Sequence, residues 1–304
     1  RLVGEAVGRG EVEFVTEVAA ELPLVAIAEL LGIPLEDRHK VFDWSNRMIA
    51  TSDSEYSGGS EDAGAAAAEL YMYAQELLAD RKANPRDDII TTLMSSMEGD
   101  SLNDHEFNLF VLLLMVAGSE TTRNAISHGV MNLLEFPDVW TRLQADRGLL
   151  DTMVEEVLRW GTPVNMFRRV ATGDVELHGQ TIRKGESVVM FYASGNRDED
   201  VFADAHTFDP SRSPNPHLAF GGGGPHFCLG ANLARLELKL LFNELSTPRA
   251  SAPVQTVTDV QMRNHSRSRR EVSLSGDLTP TATPVPPTAT PVPPTDTPIP
   301  PTAP

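Results

Sequence analysis

Apolar positions recur at helical spacing through most of the first 245 residues. Leu22 to Leu31 carries an apolar face and stops at Gly32 and Pro34, a glycine end followed by a residue that cannot continue a helix. Glu36 to Ile49 predicts a second helix, Ala-rich Gly64 to Arg81 a third and Asp87 to Met97 a fourth. Asn103 and Glu106 have the spacing of a capping box and open a long helix through Phe107 to about Leu134. Pro137 suits the first turn of the next helix, and Leu149 to Trp160 predicts another. The pattern then shortens. Asp174 to Leu177, Gln180 to Ile182 and Ser187 to Phe191 read as strands divided by Gly179 and Gly185. A proline-rich loop, Pro210 to Pro216, and a four-glycine run precede a last helix from Leu229 to Leu245. The chain lacks the strand–helix alternation of a doubly wound fold, so the expected class is mainly α with small β-sheets.

The pattern breaks near residue 246. Pro280 to Pro304 holds 11 of the 22 prolines, in seven-residue repeats that begin at Thr281, Thr288 and Thr295. Such a stretch cannot build a core and is expected to be an extended spacer of about 3.1 Å per residue. A ligand for a proline-binding domain is the other reading. Ser246 to Leu278 is polar, with Arg263, Arg267, Arg269 and Arg270, and shows no period. The expected division is a body at 1–245, an unassigned polar segment at 246–278 and a disordered tail at 279–304. The chain opens on Arg1 rather than Met, which leaves room for residues upstream.

Charge and cysteine count narrow the chemistry. There are 25 Lys and Arg against 43 Asp and Glu, a net −18, which argues against nucleic acid as a partner. The longest apolar run, Leu109 to Gly118, is too short to cross a bilayer, so no membrane span and a cytoplasmic protein are expected. One cysteine excludes a disulfide framework and a multi-cysteine zinc site. Cys228 is then either an inert buried thiol or a single functional thiolate.

Three constellations carry candidate chemistry. The first runs from Phe220 through four glycines to His226, Cys228 and Gly230. A glycine run lets backbone approach a flat ligand closely. A cysteine just before a helix is favoured as thiolate, which serves as a nucleophile or an iron ligand. The second is Ala117-Gly118-Ser119-Glu120-Thr121-Thr122, inside the long helix. Ala117 and Thr121 share a face, where the hydroxyl can bond the carbonyl four residues back. Gly118 opens space, and an acid beside an alcohol can relay protons in a dry pocket. The bland reading, a polar patch on a solvent face, fits poorly beside the apolar run from Val111 to Val116. The third is Glu156-x-x-Arg159, which alone reads as a surface ion pair.

Taken in order, these residues resemble the cytochrome P450 family of haem-thiolate monooxygenases, over roughly residues 1–245. The resemblance implies the family's mainly α fold, truncated, with haem b as cofactor. It makes Cys228 the iron ligand and Glu120 with Thr121 the catalytic acid–alcohol pair. Glu156 and Arg159 become the structural ExxR pair, with Arg212 as third partner. Arg169 and His226 match propionate contacts. Ala117, Gly118, Ala219, Phe220, Gly221, Gly230 and Ala234 fall at other haem-lining positions. Val116, Val164, Asn165 and Met166 would line the substrate side. The stretches Ala20 to Leu24, Phe42 to Asn46, Val116 to Asn124, Val188 to Tyr192 and Pro214 to Leu218 are similar to a bacterial subgroup that hydroxylates terminal methyls of sterol side chains and branched lipids. From Phe220 to Cys228 the loop is one residue longer than the commonest family spacing, as in that subgroup. The family's N-terminal region and its strands after the cysteine helix are not matched.

The implied activity is insertion of one atom of O₂ into a C–H bond of an apolar small molecule: a sterol side chain, branched lipid or terpenoid. Electrons would come from a ferredoxin-type partner, since no flavin or nicotinamide motif is present. Arg142, Arg147, Arg235 and Lys239 are the expected basic patch for that partner on an otherwise acidic body. A haem-thiolate peroxygenase and a non-catalytic gene fragment are the alternatives.

Overall fold

The computed structural model describes residues 2–9, 11–51, 58–95 and 102–247. Ten helices run in chain order: α1 Leu2–Arg9, α2 Glu21–Leu31, α3 Arg38–Ile49, α4 Ser60–Ala83, α5 Ile89–Ser95, α6 Asp104–Glu135, α7 Pro137–Ala145, α8 Leu150–Gly161, α9 Tyr192–Gly195 and α10 Ala231–Ser246. Four short strands lie between α8 and α9: β1 Met166–Val170, β2 Val175–Leu177, β3 Gln180–Ile182 and β4 Ser187–Phe191. The mainly α expectation holds. The expectations for 248–304 lie outside the described residues.

The long helix α6 organises the rest. Asn103 Oδ1 accepts the backbone N–H of Glu106 at 3.0 Å, and Glu106 Oε2 accepts that of Asn103 at 2.9 Å, the reciprocal capping box its sequence predicts. Its first half buries Phe107, Val111 and Met115 in a cluster with Ile27 and Leu31 of α2, Leu70 and Ala74 of α4, and Ile90 of α5. Its second half buries Ala125, Ile126 and Val130 with Val157 of α8 and Leu238 and Phe242 of α10. By length and mean hydropathy, 1.2, α6 is able to cross a membrane, which the short unbroken apolar run did not suggest. Its buried Asn108, Ser119, Thr122, Ser127 and Asn132, and its packing on α2, α3, α4, α8 and α10, make it the core helix.

The helix boundaries follow local chemistry. Gly32 ends α2 with φ 63°, a left-handed residue that glycine adopts freely. A Cβ there would also stand 2.3 Å from Asp88 Oδ2. Buried Arg81 pairs with Asp88 at 2.5 Å and donates to the Gly32 carbonyl, tying the ends of α2, α4 and α5 together. Helix α3 starts at Arg38 because Leu35–Asp37 is a tighter 3₁₀ turn, and the Arg147–Leu149 turn likewise delays α8 to Leu150. Leu2–Arg9, a π-helical turn at Val15–Ala19 and α9 were not anticipated; each is too short to carry a clear period.

Strand β1 was also missed. It pairs antiparallel with β4, Arg168 opposite Val189, and all five of its residues are exposed, so no in–out alternation marks it. β2 and β3, both expected as strands, pair as a hairpin around His178 and Gly179, both with positive φ, as a two-residue turn of this kind requires.

Candidate active site

The cysteine loop is built by glycine conformations. Gly221, Gly223 and Gly224 have φ of 90°, 98° and 74°, which side chains rarely tolerate. The loop closes through the Cys228 N–H, which donates to the Phe220 carbonyl at 3.0 Å. Cys228 is a free, exposed thiol, flanked by exposed Phe227 and Leu229. Helix α10 begins at Ala231 rather than Leu229, because Gly230 is not helical at φ −83°, ψ 6°. The Cys228 carbonyl accepts the Ala231 N–H at 3.3 Å, so the cysteine sits one turn ahead of the helix.

On α6, Leu109, Leu113 and Ala117 form an exposed apolar stripe at four-residue spacing that continues to Thr121. The Thr121 hydroxyl donates to the Ala117 carbonyl at 2.8 Å. Gly118 opens no pocket: the space it leaves is taken by Ile27 of α2, whose Cδ1 would meet a Cβ at 3.1 Å. Glu120 lies beneath this stripe. One oxygen meets Arg123 Nη2 at 3.2 Å; the other is buried with no hydrogen-bond partner among the described residues. Burial raises its pKa above the usual carboxylate value, against the pull of Arg123. Arg123 in turn donates to Asn46 Oδ1 of α3 at 2.9 Å and stands over the Phe42 ring.

The Glu156–Arg159 pair is not on the surface. Both side chains are 0% exposed, and Arg159 grips Glu156 through two bonds of 2.7 and 2.8 Å. Its remaining donors reach the carbonyls of Asn196, Ala205 and Thr207. Glu156 also accepts from Arg212 Nε at 3.1 Å, Asn215 Nδ2 at 3.1 Å and the Asp209 N–H at 2.9 Å. The three residues expected together are together, and they pin the 196–215 loop onto α8.

The other expected contacts are scattered over exposed backbone. Arg169 lies on β1, over the Phe167 ring, with no acid at ion-pair distance among the described residues. Asn165 and Met166 are exposed at the entry to β1, while Val116 and Val164 are half-buried. His226 and Gly230 are exposed; Ala219, Phe220 and Ala234 are half-buried.

Sequence reasoning missed two groups. Glu155 holds both His217 and Arg235, described below. Glu237 of α10 is buried, with Oε2 unpartnered among the described residues. Burial pushes its pKa from 4.5 to about 7. The native state holds this proton more tightly than the unfolded chain, so stability falls as pH rises between those values and stays reduced above them. Glu237→Gln is expected to raise the thermal midpoint near about pH 8, by the equivalent of about 3 kcal/mol, and to change it little near about pH 4. Equal midpoints at the higher pH would show that the acid is solvated.

Comparison with known proteins resolves the family. A family model described as Cytochrome P450 matches residues 37–245. The chain belongs to the cytochrome P450 family. It is 52% identical over 247 residues to the steroid C26-monooxygenase of Rhodococcus jostii, covering 81% of this chain and 51% of that protein. It is 44% identical over 237 residues to the methyl-branched lipid omega-hydroxylase of Mycobacterium bovis, covering 77% and 55%. In structure it resembles the Mycobacterium marinum cytochrome P450 CYP268A2 in complex with pseudoionone, with TM-score 0.78, 40% identity and coverage of 90% and 66%. The chain thus spans about half the length of the curated relatives it matches.

The prosthetic group of a cytochrome P450 is haem b, and the residues present fit it. The sole thiol is free and exposed at the end of a glycine loop, the donor such an iron takes. Arg169, free of acids among the described residues, can take a propionate.

Proposed function

We propose that this cytochrome P450 is a haem-thiolate monooxygenase that inserts one oxygen atom of O₂ into a C–H bond of an apolar substrate. The substrate class is a sterol side chain, branched lipid or terpenoid, in line with the activities named for its relatives. The observation that carries the reading is the free Cys228 thiol, held by a backbone-closed glycine loop in a chain whose core helix presents Thr121 beside buried Glu120.

Cys228 Sγ would hold the iron, with Ala219, Phe220, Gly221, Gly230 and Ala234 around the thiolate side and Arg169 and His226 on the propionates. Bound haem supplies the iron at which O₂ is reduced and the C–H bond oxidised. Ala117, exposed on α6, and its neighbour Gly118 would help to hold it from that helix.

The chain's own residues supply proton control. Thr121 donates its proton to the Ala117 carbonyl, so its oxygen lone pairs stay open to accept from a water or a ligand. Glu120 keeps one oxygen unpartnered among the described residues, and its burial makes the carboxyl hold a proton more readily than in water. Arg123 fixes the other oxygen, and so the direction of that carboxyl. Leu109, Leu113, Val116, Val164 and Met166 would exclude water from the apolar substrate, and Asn165 would offer it a polar contact.

The electron source in this reading is a ferredoxin-type partner in the cytoplasm. The basic patch expected for it is already engaged: Lys239 meets Asp151 at 2.5 Å, Arg235 meets Glu155 at 2.7 Å and Arg142 meets Asp209 at 3.7 Å. Arg147 is spent on Asn243 and Thr247. Long-range attraction of an acidic partner is therefore weak, and docking rests on short-range contact.

Thr121→Ala is expected to lower product formation about 100-fold, the low end of the usual range for a positioned proton-transfer group. Reductant is still consumed, but it leaves as peroxide rather than product. An unchanged ratio of product to reductant would remove Thr121 from the proton path.

A further inference from the structure

Glu155 and Glu156 are neighbours on α8, yet they serve different ends. Glu156 anchors the 196–215 loop. Glu155 faces the cysteine loop and α10, and accepts Arg235 through two bonds, Nε to Oε1 at 2.7 Å and Nη2 to Oε2 at 2.9 Å. It also meets His217 Nε2 at 2.9 Å. His217 is nearly fully buried, and its Nδ1 accepts the Ala219 N–H at 3.2 Å. That assigns the proton to Nε2, so a neutral imidazole donates to Glu155.

Both partners of Glu155 then touch one ring. The Arg235 guanidinium lies 4.6 Å from the Phe220 centroid, and the His217 ring lies 5.9 Å from it. Phe220 is the residue whose carbonyl accepts the Cys228 N–H. A carboxylate, an imidazole and a guanidinium thus clamp the residue that closes the cysteine loop. Arg235 is thus linked to the Cys228 backbone through a single residue, Phe220. Burial disfavours the charge on Glu155, but the two hydrogen-bonded partners overcome it and hold its pKa at about 2. Glu155 is therefore ionised beside Arg235 across the physiological range.

We infer that Glu155, His217 and Arg235 are positioning residues for the thiolate: through Phe220 they fix the Cys228 loop, and their charges set the electrostatic environment of its sulfur. The inference rests on Cys228 being the iron ligand. Arg235 favours negative charge at sulfur and Glu155 opposes it, so neutralising the two has opposite consequences. A guanidinium also matches a carboxylate and an aromatic face in a way an ammonium does not.

The test is the iron reduction potential of the haem-loaded protein, read beside the reduced carbon monoxide spectrum. Loss of the cation makes the added electron less welcome, so Arg235→Gln is expected to lower the potential and to convert part of the thiolate-type band to the neutral-thiol type. Glu155→Gln is expected to raise the potential. Arg235→Lys is expected to keep most of the potential and yet lose part of the thiolate band, because it retains charge without the fork. Potentials that move in the same direction, or that stay fixed while only the unfolding temperature falls, would overturn the inference and leave the cluster a structural brace. If Arg235→Gln takes up no haem, Glu155→Gln decides alone: a raised potential supports the inference, and a lowered or unchanged one overturns it. A wild-type protein without a thiolate band would instead defeat the assignment of Cys228, before any variant is compared.

Discussion

Arg159→Ala is expected to give no folded, haem-loaded protein. Arg159 makes five hydrogen bonds, two to Glu156 and three to loop carbonyls, with no exposure to water. Truncation leaves Glu156 buried with only part of its positive partner set and strips the Asn196 and Ala205 carbonyls of their donor, while the Thr207 carbonyl keeps Arg212. Removing one partner of a buried pair costs about 3–5 kcal/mol. A domain's whole stability is about 5–15 kcal/mol, so the loss consumes a large share of it. Arg159→Lys should fare little better, since an ammonium cannot reach Glu156 in two places and three carbonyls as well. Soluble yield and a thermal melt check this. A soluble variant with a wild-type midpoint would mean that the loop is held by other contacts.

Cys228→Ser should abolish the thiolate signature entirely. The chain has no second cysteine to take over. A serine alcohol at this position stays protonated and donates far less charge to iron. The variant is expected to fold, because Cys228 is exposed and its backbone N–H, not its side chain, closes the loop. The measurement is the carbon monoxide spectrum of the reduced, haem-loaded variant; a thiolate-type band that survives would place the ligand elsewhere.

Much of this was legible in the chain, for identifiable reasons. The capping box at Asn103, the stop at Gly32 and the start at Pro137 are local devices, and each fell where the residues said. The cysteine loop was legible because its glycines occupy conformations that few other residues reach. The Glu156–Arg159 pair was visible as spacing, and its burial with Arg212 followed from the family resemblance rather than from the spacing. Burial depends on carbonyls from 196 to 207, which no pattern near Glu156 announces. Glu155 was lost for the same reason: its partners lie 62 and 80 residues away. Strand β1 escaped because both its faces are exposed, which removes the alternation that betrays a strand. Gly118 misled, since a missing side chain marks open space or a close neighbour equally well, and here the neighbour is Ile27. The acids opposite the basic residues of α10 were not legible either, because net charge says nothing about which acid lies across from a cation.

In the monooxygenase reading proposed here, O₂ is the source of the inserted oxygen and an apolar, sterol-like or branched-lipid molecule receives it. The direct measurement is turnover of such a substrate by the haem-loaded protein under oxygen-18 gas, in ordinary water, with a ferredoxin and its reductase as electron source. The account predicts a hydroxylated product that carries one labelled oxygen atom. Product that takes its oxygen from added unlabelled peroxide and forms without reductant would contradict it and make the protein a peroxygenase.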